Sequence, residues 1–189
     1  MRISRFPLLS GLLLCLGACA ATDAAASDNC RLQTTPAQVD YGRLSRHAIL
    51  GQPATAHGHS LGKRLITVNV VCAAPTRLTL LVRGTAAGES GFRFGPQGHL
   101  ALTATQAVLD GNAISLGVVE QPGDAPSAIA ARAPLLPGKG VTAVVDGQAS
   151  AGSRLSVQIE LEASVPANAL SVTRETDWVS GPGIELVER

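Results

Sequence analysis

Eight consecutive residues, Leu155-Ser156-Val157-Gln158-Ile159-Glu160-Leu161-Glu162, alternate apolar and polar without a break. Successive side chains on a strand point to opposite faces, so such a run has one buried face and one wet face. On a helix the same four apolar residues would scatter around the axis. The segment therefore predicts a strand with Leu155, Val157, Ile159 and Leu161 inward. Leu65 to Cys72 carries a second such face, with Ile66, Val68, Val70 and Cys72 on one side. Arg77 to Val82 follows after Pro75. The short break predicts a tight connection and antiparallel pairing of these two segments. Shorter runs fit strands at 38–44, 99–103, 113–119, 141–145, 170–174 and 183–187. Residues 103–109 and 127–133 fit one or two helical turns. Asp110-Gly111-Asn112 and Asp146-Gly147 are turn signals. Short strands with Gly and Pro in nearly every gap predict an all-β fold, a sandwich or barrel. Their even spacing predicts one domain over residues 27–189. The longest irregular stretches are 45–62 and 120–140, and long loops on a β scaffold are where function concentrates.

Composition narrows the function classes. Charged residues make up 15% of the 189, against about a quarter in an ordinary domain. The formal net charge is +1, and no basic run is longer than Lys63-Arg64. A surface that tracks phosphates is not encoded, so nucleic acid is not an expected partner. Only the first apolar run is conspicuous, and it is short for a permanent membrane span. Arg2 and Arg5 precede Leu8 to Leu16, and small residues from Gly17 to Ala26 follow. This order predicts an export signal over residues 1–26. A cut after Ala26 or after Ala20 satisfies the small-x-small rule. Leu16-Gly17-Ala18-Cys19 also resembles a lipoprotein box, in which Cys19 would be lipidated and the chain anchored to a membrane.

Export decides the cysteines. Cys30 and Cys72 are the two left after a cut at Ala26. An oxidising compartment favours their pairing, and Cys72 faces the core in the expected strand. A bridge closing a loop of this length is worth about 4 kcal/mol in chain-entropy terms.

Signals for chemistry are sparse. His57-Gly58-His59 is the most suggestive group, since two His at i and i+2 on a strand share a face and make weak candidates for a copper or zinc site. No Cys, Asp or Glu is spaced to complete a shell, and an exposed glycine-rich loop explains the pair as well. Gly88-Glu89-Ser90-Gly91 lacks nucleophile-elbow spacing. Glu160 and Glu162 fall on the wet face of their strand. Gly138-Lys139-Gly140 is too short for a phosphate loop. Neither an enzyme nor a cofactor is expected. Tyr41 reads as core, and Trp178 as a lid over one end of the sandwich.

One pattern resembles a known family. Cys30, then Val39-Asp40-Tyr41-Gly42, then a β-rich run ending Val70-Val71-Cys72, then Pro75 and Leu78-Thr79-Leu80, is similar to the start of chaperone–usher fimbrial subunits of Gram-negative bacteria. Phe92-Arg93-Phe94-Gly95 and Asp110-Gly111 suit the same branch, and the similarity is best over residues 30–116. The resemblance implies an immunoglobulin-like sandwich lacking its last strand. It also implies a periplasmic chaperone, an outer-membrane usher and a neighbouring subunit that donates a strand by β-addition. The expected location is the periplasm, then the cell surface or fimbrium. Residues placed to line the groove are Ile184, Leu186, Leu155, Val157, Ile159 and Leu161.

The sequence departs from that family at both ends. Ser27-Asp28-Asn29 is all that precedes Cys30 after a cut at Ala26, and it has no alternating donor pattern. A terminal, strand-accepting position is therefore expected. The closing segment Gly183 to Arg189 alternates through Ile184 and Leu186 but has Glu188 where the family places an aromatic. If this segment pairs beside residues 155–162, the sandwich closes by itself, and the alternative is a self-complete outer-membrane lipoprotein with a small binding domain.

Overall fold

The computed structural model describes residues 29–171 and 177–189. The leader, its cut sites and Cys19 lie outside the described residues. In chain order the first strands are β1 (Cys30–Thr35), β2 (Ala54–Thr55), β3 (Gly58–Arg83), β4 (Phe92–Phe94), β5 (Gly98–Leu109), β6 (Asn112–Ala113) and β7 (Ser115–Val119). They are followed by β8 (Ser127–Ala130), β9 (Arg132–Pro134), β10 (Gly140–Val145), β11 (Gln148–Ala149), β12 (Ala151–Val165) and β13 (Gly183–Glu188). Helical structure among the described residues is limited to α1 (Arg46–Leu50) and a 3₁₀ turn at Ala167–Leu170. Ser45 caps α1 by accepting the Ala48 N–H on its hydroxyl.

β3 organises everything else. It is 26 residues long and belongs to both layers of the sandwich. Its first half pairs with β1 on one side and β12 on the other, and β5 and β4 extend that layer. Its second half pairs with β13 and β10, and β7 and β8 extend the other layer. The ladders are antiparallel. The layers meet across one apolar cluster that includes Val68, Val157, Ile159, Leu102, Leu116 and Val141. A buried Leu, Ile or Val contributes about 1.5–3 kcal/mol, and this cluster is what holds the layers face to face.

The all-β expectation holds, and Cys30 and Cys72 are disulfide-bonded register partners on β1 and β3. The 155–162 alternation is the centre of β12. Four local expectations fail for identifiable reasons. The segments 65–72 and 77–82 do not pair with each other; they are two halves of one strand. Pro75 sits where β3 passes between layers. There β12 skips from Val71 to Thr76 in its register, so a missing N–H leaves no ladder bond unmade. Residues 103–109 are strand, not helix. Gln106 adopts φ 48° beside a bulge, which reverses the in–out phase midway and hides the period of 2. Residues 127–133 are also strand: β8 is exposed throughout, so it carries no alternation to read. Residues 38–44 are not strand, because the Asp40 carboxylate accepts the Gly42 N–H at 2.7 Å and Gly42 takes φ 74°. Of the strand expected at 170–174, Leu170 ends the 3₁₀ turn, and 172–174 lie outside the described residues.

Candidate functional site

The two strands that flank β3 on its free side lie end to end. β1 is opposite residues 67–72 and β13 is opposite 78–83. Where they meet, the Cys30 N–H donates to Glu188 Oε1 at 3.2 Å. Just beyond, Arg77 and Arg189 exchange backbone hydrogen bonds of 2.9 and 3.0 Å. Among the described residues neither strand has a second strand partner. The outer backbone groups of such an edge are a template for another strand.

The side chains match that geometry. On β1, Cys30 is buried while Leu32 and Thr34 stay half-buried. On β13, Ile184 and Leu186 pack against the core but also stay half-buried. Leu155, Val157, Ile159 and Leu161 are different: all are buried, Val157 and Ile159 at 0% exposure. The structure thus divides the six residues expected to line a groove. The four of β12 lie in the middle of the core, with β3 and β5 on either side. Ile184 and Leu186 lie at the rim. β13 pairs with β3, not beside the 155–162 strand. On its wet face, Glu185 is ion-paired with Arg83.

A second cluster occupies one end of the sandwich. The rings of His57 and His99 stack with centroids 3.7 Å apart and planes 12° apart. Ser90 Oγ lies 3.4 Å from His57 Nε2 and 3.3 Å from His99 Nε2. His59, the expected companion of His57, instead has Nδ1 3.2 Å from the Gln52 carbonyl oxygen. All three His line a recess of about 450 Å³. The Nε2 atoms of His57 and His99 are both turned to the one Ser90 hydroxyl. Among the described residues no three His, Cys, Asp or Glu side chains gather as a metal shell requires. Burial, and then the neighbouring His57, hold the His99 imidazole below the ordinary His range. Reasoning along the sequence missed the His99–Ser90 contact with His57, because a turn, a loop and a strand bring these residues together and no local spacing records it.

The backbone is pressed tightly around this cluster. A Cβ at Gly91 would come within 2.5 Å of the His99 ring. One at Gly58, which takes φ 122°, would come within 2.3 Å of the Val165 carbonyl oxygen. The aromatics form a third group. The Phe94 ring stacks on Trp178 at 6.1 Å and meets Tyr41 edge-on at 5.9 Å. The Tyr41 hydroxyl donates to the Leu161 carbonyl oxygen at 3.3 Å, and burial pushes its phenol above the ordinary range. Trp178 is half-buried and closes over Gly95.

No protein-family model matches the chain, and no curated protein matches it. Among solved structures, the crystal structure of the P pilus rod subunit PapA is similar, with a TM-score of 0.40 and 15% sequence identity. The similarity covers 86% of this chain and 100% of that one.

Proposed function

We propose that this chain is a fimbrial-like subunit that takes up a β-strand donated by another subunit along the free edge of β13 and β1. The observation that carries the reading is the state of that edge: two collinear strands paired on one side only among the described residues, with Ile184 and Leu186 facing inward yet half-exposed. An added strand would satisfy the outer backbone groups and cover those side chains. Its backbone would supply affinity and its alternate apolar residues specificity. In this reading a periplasmic chaperone supplies the strand before assembly at an outer-membrane usher, and the subunit ends at the cell surface. The fimbrial resemblance of residues 30–116 supports that route, and the disulfide suits an oxidising compartment.

The test is thermal unfolding of the purified exported chain with and without synthetic peptides of alternating apolar residues taken from neighbouring subunits. A matching peptide stabilises by about 2.7 kcal/mol at one hundred times its dissociation constant. Leu186→Lys should abolish that gain, measured against the variant's own peptide-free melt. A chain that ignores every such peptide is a self-complete sandwich, which is the lipoprotein reading. Mass spectrometry of its amino terminus would then find a diacylglyceryl group on Cys19.

A further inference from the structure

We propose that the His57–Ser90–His99 cluster is a pH-sensitive latch, which holds the 54–59 hairpin against the end of the sandwich at neutral pH and releases it on acidification. The cluster ties three separate pieces of chain. His57 sits in the turn between β2 and β3, Ser90 in the loop before β4, and His99 at the start of β5. A hydroxyl has one proton to donate and lone pairs to accept. Ser90 can therefore donate to one Nε2 and accept from the other when both imidazoles are neutral. His99 is only 6% exposed, and Gly91 lies close against its ring.

Among the described residues no carboxylate is hydrogen-bonded to or ion-paired with either ring. On the hairpin, His59 is turned to the Gln52 carbonyl. The α1 helix before it carries Arg46 and His47, which are cationic or neutral. On the loop, Glu89 is exposed. Arg93 of β4 lies opposite His99 in register, and its guanidinium donates to the Pro96 carbonyl at 3.1 Å. On β12, Ser164 lies opposite His99 and is uncharged. Glu162 accepts from the Ser60 hydroxyl at 2.8 Å. Pro166 and Ala167 complete the lining of the recess. Among the described residues no ion pair includes either ring. Two cationic rings at 3.7 Å would repel with little screening on the buried side.

The sign follows from linkage. The folded state binds protons at His99 less readily than the unfolded chain does, whose ordinary value is 6.5. The latch's contribution is therefore fully present above that value and is lost as pH falls below it. The loss should be local. The hairpin meets the body of the fold through this stack, through the Thr55 hydroxyl, which contacts Ser164 Oγ at 3.1 Å, and through Gly58 and His59, which lie against Val165 of β12.

The experiment is residue-resolved NMR on the exported chain between pH 7.5 and 5. It follows the imidazole shifts of each His and the amide exchange of residues 54–59, corrected for intrinsic exchange. The expected result is titration of His99 below the ordinary His range, with at least a tenfold rise in hairpin exchange that β12 does not share. His57→Phe keeps a ring to stack and removes a proton site, so it should erase the step. Hairpin exchange that does not change with pH in the wild type would overturn the proposal. So would an undiminished step in His57→Phe.

Discussion

β12 lies between β3 and β5 along most of its length, and among the described residues β13 pairs as a strand only with β3, yet both alternate apolar with polar residues. The outcome differs. Val157 and Ile159 are shut away, while Ile184 and Leu186 remain half-open. Alternation states that a strand has an inward face. It does not state how many neighbours the strand has, nor whether anything covers that face. The neighbour count is a property of topology, and here the difference falls at the edge proposed above to take up a strand.

Four perturbations would break or sharpen this contrast. The largest effect should come from the edge fixed covalently. Replacing Cys30 and Cys72 together with Ser should cost about 2–5 kcal/mol, read from urea unfolding of oxidised wild type against the variant; a loss under 1 kcal/mol would mean that the β1 edge is held by its ladder alone. Next is the centre of the core: Ile159→Ala should cost about 2–5 kcal/mol through lost burial and a residual cavity. Leu186→Ala should cost roughly half as much in the isolated chain, because its side chain is half in water. With a donor peptide bound, its cost should rise toward that of Ile159→Ala. Equal costs with and without peptide would erase the contrast between the two strands. Least affected should be the wet face of β12. There Glu160 accepts from Lys63 at 2.8 Å, which holds its carboxyl below the ordinary value of 4.5. That depression means the pair contributes above 4.5 and is lost as pH falls through the lowered value. Exposed pairs of this kind are weak, so Lys63→Ala should barely move the urea midpoint at pH 7, and less still as pH falls through the lowered Glu160 value.

Legibility in the sequence tracked the same division. β12 was readable because both its neighbours enforce one phase along most of the run. β5 was half-readable: Leu100, Leu102 and Ala104 are buried in step, and then the kink at Gln106 shifts burial to Thr105, Ala107 and Leu109. β8 was unreadable because none of its residues is buried. The disulfide was legible from redox context and strand phase. β13 could be seen as a strand but its neighbour could not, since nothing within Gly183 to Glu188 distinguishes pairing with β3 from pairing with β12. The His57–His99 stack was invisible for a related reason: its partners share no element, and only the finished packing sets one ring over the other.

The continuity of β3 bears on how the molecule would carry tension. A pull along the axis of β13 is resisted by all the register pairs from Gly183–Arg83 to Glu188–Leu78 at once, in shear. A sideways pull would open the same pairs one after another. Force entering by β13 passes into β3 and travels along its peptide bonds, without crossing a turn, to Cys72. There the bond to Cys30 shares it with β1. A filament that handed load to this edge would be pulling on a single covalent thread running through both layers, with a cross-link partway along it.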